Sequence, residues 1–255
     1  MTDRLGPYLL GPNDTPENGI YTGDARELAK LIPDESVDLV LTDPPFGIGF
    51  DYGTEYKDDP ACYMGLLHWA VGESIRVVRP GGLCFVYVAQ LRLSHVWPES
   101  FPAGSRIFAA CKNFVQMRPT AVQFAYDPVV FWQKAGNSLK EHKGRDWHVA
   151  NTARTRNRGA NEAGWHPCPR PLDTIMYIAK HYCPPGGIVA DWFMGSGTTA
   201  IAAKLLGLRW WGAEIVPGVA EMARQRVRET QPPLFVLDES EQLEMEWPSP
   251  TPPQG

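Results

Sequence analysis

The chain has 255 residues, 44% of them apolar, and a net charge of −5. That length supports one large domain with a substantial core, and no stretch approaches the roughly 18–20 apolar residues of a membrane span. Its opening residues lack the basic flank and apolar core of a secretory signal, and its five scattered cysteines form no CxxC pair, which excludes a zinc framework and suits a reducing cytoplasm.

Short apolar runs alternate with helical patterns, the signature of an α/β fold with a doubly wound, mainly parallel sheet. After an N-terminal arm (residues 1–18), residues 19–22 predict a strand and 25–32 a short helix. Residues 37–41 predict a buried strand that runs straight into Asp43-Pro44-Pro45-Phe46. An amphipathic helix is expected over 60–78, stopped by Arg79-Pro80-Gly81-Gly82, followed by a strand over 83–89. Two further strands are expected at 121–124 and 129–133. From about 135 to 165 the periodicity fails, as in an inserted, loop-rich segment. Order returns with a helix over 171–181, a strand over 188–192, a glycine loop, a helix to about 206, a strand over 209–215 and a helix over 217–228. The main domain therefore spans 19–230. Residues 231–255 are acidic and proline-rich, as in a disordered tail.

Charge is unevenly spread. Residues 134–170 hold eight Lys or Arg and three acids, a net of +5, so the rest of the chain carries −10. An acidic body with one basic segment suggests a local contact with phosphates. Lys143, Arg145, Arg154, Arg156 and Arg158 are the candidates, and Arg side chains also read guanine edges. Trp147 and Trp165 fit packing at the base of the insertion better than insertion into DNA. The histidines share no metal spacing, so no metal site is expected.

Two runs carry the chemistry. In the first, Asp43 follows a buried parallel strand, at the edge where open α/β sheets bind ligands. Pro44 and Pro45 fix the backbone and remove two N–H donors, leaving carbonyl acceptors beside a carboxylate that only accepts. Phe46 offers a face on which a base can stack, typically for about 1–3 kcal/mol. Acceptors with a stacking face suit a flipped base bearing an exocyclic amino group. In the second, Asp191-Trp192-Phe193-Met194-Gly195-Ser196-Gly197-Thr198-Thr199 joins a strand to a helix. Gly195 and Gly197 let a ligand approach the main chain. The loop is neither GxGxxG nor a P-loop. Glu214, 17 residues after Gly197 at the end of the next strand, can accept hydrogen bonds from ribose hydroxyls.

These motifs resemble the DNA amino-methyltransferases that make N6-methyladenine or N4-methylcytosine, whose members carry (D/N/S)PP(Y/F) and FxGxG. The catalytic run comes first here, as in the circularly permuted β group of that family. Residues 21–24 and 36–43 look like that group's opening βαβ segment, and His166-Pro167-Cys168-Pro169-Arg170-Pro171 looks like its HPxxKP segment. The resemblance implies a Rossmann-like fold and S-adenosylmethionine as cofactor. It places Asp24 near the adenine and Asp191, Phe193, Gly195, Ser196, Gly197, Thr198 and Thr199 on the cofactor loop. Glu214 falls on the ribose, and His166 and Arg170 beside the methionine end. It implies DNA as partner and admits a homodimer and a cognate restriction enzyme. Asp-Pro-Pro is commoner in the adenine enzymes, so adenine N6 is the expected target, with cytosine N4 as the alternative. A catalytically silent, cofactor-binding regulator of DNA is the reading from another class. Three departures stand out: Phe46 for the commoner Tyr, Arg170 for Lys, and a short insertion that points to relaxed specificity or a second subunit.

Overall fold

The structure, a computed structural model, describes residues 14–15, 18–51, 57–97, 99–116, 121–136, 144–151 and 170–231. Its centre is strand β2 (Val37–Thr42). Val37, Leu39, Val40 and Leu41 are almost fully buried, because a parallel strand covered on both faces tolerates no polar alternation. A register shift between Val37 and Leu39 lets Val37 and Val40 pack on one face while Leu39 and Leu41 pack on the other.

Seven more strands complete one sheet: β1 (Asn18–Thr22), β3 (Val78–Tyr87), β4 (Arg106–Gln116), β5 (Phe124–Gln133), β6 (Trp147–Ala150), β7 (Ile188–Asp191) and β8 (Arg209–Glu214). The order is β1-β8-β7-β2-β3-β5-β4-β6. All neighbours run parallel except where β5 meets β3 and β4. Helices α1 (Ala25–Leu28, continued by a 3-10 turn) and α2 (Tyr63–Val77) bury one face. Helices α4 (Leu172–Tyr182) and α5 (Thr198–Leu205) cover the other, with α6 (Pro217–Glu229) against α5 and β1; α3 (Leu93–Val96) is a single turn near the first face. The expected doubly wound, mainly parallel fold is present.

Chain direction defines the functional edge. From β2 the chain steps to β3 on one side, and from β7 it steps to β8 on the other. The two crossovers diverge between β2 and β7, and open α/β sheets bind ligands at such a point, beyond the carboxyl ends of the strands.

Four expectations need correction. The strands at 121–124 and 129–133 are one strand, β5, because Pro128 interrupts the pattern without breaking the ladder: its carbonyl accepts the Val88 N–H at 3.1 Å. Strand β3 starts at Val78, directly after α2, so Arg79 to Gly82, expected as the stop between helix and strand, belong to the strand itself. Strand β4 gave no clear signal, since Ala, Cys, Lys and Asn dilute its β-branched and aromatic residues. Part of the 135–165 insertion is also sheet: β6 pairs with β4 at the edge, its four residues too few to show a period. The rest of the insertion, the 231–255 tail beyond Gln231 and most of the N-terminal arm lie outside the described residues. Asp14 of that arm is described, and it accepts from Arg224 Nε at 3.0 Å.

Gly197, at the functional edge, is required by the fold. Gly197 caps α5 with φ +84°, and a Cβ there would lie 3.0 Å from Ala223 Cβ. Gly197→Ala should cost about 1–3 kcal/mol of unfolding free energy in urea titrations, since strain and a close contact act together. A loss below about 0.5 kcal/mol would show that the loop relaxes freely.

Candidate active site

Four acids stand at one edge of the sheet because four parallel strands end there. Asp24 follows β1, Glu214 ends β8, Asp191 ends β7 and Asp43 follows β2. The strand order β1-β8-β7-β2 sets them in that sequence, with neighbouring strands about 4.8 Å apart.

Asp191 ties the two chemical runs together. Its Oδ1 accepts from Thr42 Oγ1 at 2.8 Å and from the Phe193 N–H at 3.1 Å, and its Oδ2 accepts from Thr199 Oγ1 at 2.7 Å. Thr42 also accepts the Trp192 N–H at 3.1 Å. Asp191 thus builds the loop from within. Burial pushes its carboxyl up to about 6, against the three hydrogen bonds that favour the charged form. Glu214 holds the loop from the next strand: its oxygens accept the Gly195 and Val216 N–H groups, each at 2.9 Å, and burial raises its carboxyl. Ser196 and Thr198 hydroxyls lie 3.4 Å apart, and Phe193 packs edge-on against Trp69. Asp24 caps α1 and pairs with Arg26 at 2.6 Å, and the guanidinium contact lowers its carboxyl.

The proline loop has its own anchor, which the sequence reading missed. Asp58 is buried and accepts the Gly47, Ile48 and Phe50 N–H groups at 2.7, 2.9 and 3.2 Å. Arg92 donates to the Gly47 carbonyl at 2.7 Å. Gly47 adopts φ +60°, and a Cβ there would lie 2.4 Å from Tyr63 Cβ. Pro44 is buried, whereas Asp43, Pro45 and Phe46 are half-buried. No local motif marks Asp58; an acid 11 residues after a glycine is unremarkable until the loop folds back.

Arg170 makes contacts beyond those expected of it. Its Nε and Nη2 donate to the two oxygens of Asp43 at 2.6 and 2.8 Å, and its Nη1 donates to Asp127 at 3.0 Å. The guanidinium lies over the rings of Tyr87 (4.7 Å) and Phe46 (5.3 Å). Phe46 therefore has a protein partner for its ring.

Two cavities meet at Asp43. A cleft of about 540 Å³ is lined by Asp24, Glu214, Phe193, Gly195, Asp43 and Pro45, among others. A cavity of about 40 Å³ lies beneath the glycine loop, among Asp43, Tyr87, Arg170, Asp191, Thr198 and Thr199. The larger volume suits a small organic cofactor. Glu214 accepts from backbone N–H groups of Gly195, Ile215 and Val216, and a carboxylate with about four acceptor sites keeps capacity for a hydroxyl. Trp192, Ile215 and Val216 give apolar walls for a planar base. The residues present fit a nucleoside cofactor with an amino-acid tail.

Of the basic candidates, Arg145 is described: its guanidinium lies 4.7 Å from the centre of the Trp147 ring, and its N–H donates to Tyr177 Oη at 2.6 Å. Trp147 is 43% exposed. Lys143, Arg154, Arg156, Arg158, Trp165 and His166 lie outside the described residues.

Asp191 gives the site a pH signature. Its carboxyl titrates at about 6 in the folded chain against an ordinary 3.8. Between those values the folded state holds a proton that the unfolded state lacks, so stability rises as pH falls through that window. Asp191→Asn removes this gain. The unfolding free energy of wild type minus variant should increase by about 1–3 kcal/mol between pH 7 and pH 4. A pH-independent difference in urea titrations would contradict it.

Known proteins are similar to this chain in sequence and fold. The family model for DNA methylases matches residues 107–225. The type II methyltransferase M.BamHI of Bacillus amyloliquefaciens is 26% identical over 88% of this chain, which spans 59% of that relative's length. TTHA0409 of Thermus thermophilus, solved in complex with S-adenosyl-L-methionine, superposes with a TM-score of 0.55 at 25% identity, covering 85% of this chain and 98% of that one. The cytosine-N4-specific PvuII DNA methyltransferase shares the fold, with a TM-score of 0.63 at 18% identity over 91% of this chain and 92% of that one. Among the described residues no helix is long and apolar enough to cross a membrane. Motifs, fold and relatives agree in one direction: the chain is similar to the DNA methylases over residues 107–225 and to type II methyltransferases over most of its length.

Proposed function

We propose that this protein transfers a methyl group from S-adenosylmethionine, the family's cofactor, to the exocyclic amino group of a base in DNA, with adenine N6 as the target. The observation that carries the reading is the convergence of Asp43-Pro44-Pro45-Phe46 and the glycine loop at one switch point, fastened through Asp191.

The residues divide the work. Glu214 accepts from the ribose hydroxyls, Asp24 lies towards the adenine end, and Gly195, Ser196, Gly197, Thr198 and Thr199 border the methionine end. Bound S-adenosylmethionine would supply the methyl group, its sulfonium becoming a neutral thioether, and the methylated amine would pass one proton to solvent. That nitrogen is a weak nucleophile because its lone pair is delocalised into the ring. Asp43 and the Pro44 carbonyl accept its two N–H groups, which aims the lone pair. Placing reacting atoms about 3–3.5 Å apart supplies much of the rate. The target base leaves the duplex at a cost of a few kcal/mol, offset in part by contact with the Phe46 ring. Arg145, with Lys143, Arg154, Arg156 and Arg158, meets DNA phosphates. A partner copy or a cognate restriction enzyme would act outside this chemistry.

Adenine rests on the Asp-Pro-Pro run. Cytosine N4 is the second reading, because its amine offers the same two N–H groups to Asp43 and the Pro44 carbonyl, and the identity of the methylated nucleoside decides between them. Two substitutions separate catalysis from binding. Asp43→Ala should slow methyl incorporation into DNA at least about 100-fold while cofactor affinity stays within about threefold. Glu214→Ala should do the reverse, weakening cofactor binding about 10–100-fold through lost charged hydrogen bonds with turnover at saturating cofactor largely kept. Calorimetry and radiolabelled transfer measure both, and full activity in Asp43→Ala would overturn the assignment.

A further inference from the structure

We propose that Asp127 and Lys112 are positioning residues for Asp43, acting through Arg170. The inference rests on the methyl-transfer reading above and names the machinery that sets its acceptor.

The topology brings these residues together from four separate elements. β5 runs against the other seven strands, so its first residues lie at the edge where the parallel strands end. Alternation along β5 puts Asp127 on the same face as Val129 and Phe131, the face covered by α4. Asp127 stands opposite Ala110 on β4, and Lys112 is two residues further along the same face. Arg170 arrives just before α4. The result is a row of alternating charge. Asp43 is gripped by two Arg170 nitrogens at 2.6 and 2.8 Å, Arg170 reaches Asp127 at 3.0 Å, and Lys112 pairs with Asp127 at 2.8 Å.

Three observations point to function. First, the four side chains are only 14–27% exposed, and buried ion pairs commonly add no stability over apolar residues of like volume. A four-member row at the active edge therefore calls for another reason. Second, Asp43 lines both cavities, whereas Arg170 lines only the small one. Arg170 thus leaves the large cleft open to Asp43. A carboxylate has about four acceptor sites, and one is taken on each oxygen, so each oxygen keeps capacity for a target N–H. Third, a guanidinium held by one carboxylate can swing, but one held between two and set over Tyr87 and Phe46 cannot. Asp127 fixes Arg170, Lys112 fixes Asp127, and Arg170 fixes the plane of the Asp43 carboxylate.

The test compares wild type, Asp127→Asn, Lys112→Gln, Arg170→Lys and the double variant Asp127→Asn/Arg170→Lys. Each is measured for thermal unfolding, cofactor affinity by calorimetry, and methyl transfer from labelled S-adenosylmethionine to unmodified bacterial chromosomal DNA. Asp127→Asn should lower kcat about 10-fold, Lys112→Gln should lower it by less, and Arg170→Lys by at least as much as Asp127→Asn, all by misaiming one acceptor. Cofactor affinity and KM for DNA should stay within about threefold. The double variant should be no slower than Arg170→Lys, because Asp127 acts only through Arg170. Wild-type kcat in Asp127→Asn, additive losses in the double variant, or weakened cofactor binding with kcat retained would each overturn the proposal. Should Asp127→Asn fail to fold, Lys112→Gln and Arg170→Lys decide by the same split between kcat and affinity. A wild type that methylates no DNA base sinks the functional reading itself, and this inference with it.

Discussion

The site depends on one buried carboxylate. Asp191 takes hydrogen bonds from Thr42 at the end of β2, from the Phe193 N–H inside the glycine loop and from Thr199 at the start of α5. Thr42 ends one of the two strands flanking the point where the crossovers diverge, and the loop and helix follow the other. Glu214 holds the glycine loop and Asp58 the proline loop separately, whereas Asp191 is an acceptor shared by the end of β2 and the glycine loop. The arrangement is costly, because the carboxyl is buried and its titration is displaced upward to about 6. A charged or half-charged group retained there in spite of desolvation is what makes the geometry of one loop depend on that of the other.

The same edge collects groups from both halves of the sheet. Parallel strands deliver Asp24, Glu214, Asp191 and Asp43 through their carboxyl ends. The outer strands contribute because β5 is reversed, which turns its amino end towards the site and brings Asp127 to Arg170. Asp58 and Arg92 act on the far side of the proline loop, through its main chain. Asp43 is thus held by its side chain from one direction, while the backbone that follows it is held from another.

Much of this was legible in the sequence where the cause is local. The runs 37–41 and 188–192 betrayed buried parallel strands because both faces are covered. Asp43-Pro44-Pro45-Phe46 and the glycine loop were readable because turn geometry and ligand contact constrain adjacent residues. Strands β4 and β6 were not, since an outer strand draws its stability from cross-strand partners and not from its own period. Arg170 was read as a cofactor residue from its place in a segment. Its grip on Asp43 spans 127 positions of chain and joins Asp127 and Lys112, and no spacing rule encodes such a contact. Asp58 was missed for a similar reason: the N–H groups it satisfies belong to a loop whose path only the folded structure reveals.

The central claim is that the paired loops methylate an exocyclic amine of DNA. It is tested most directly by incubating the protein and unmodified DNA with S-adenosylmethionine carrying a deuterated methyl group, then digesting the DNA to nucleosides for mass spectrometry. The account predicts the label in N6-methyladenine. Label in N4-methylcytosine would keep the mechanism and correct the base. DNA free of label, from protein that binds the cofactor, would contradict the account.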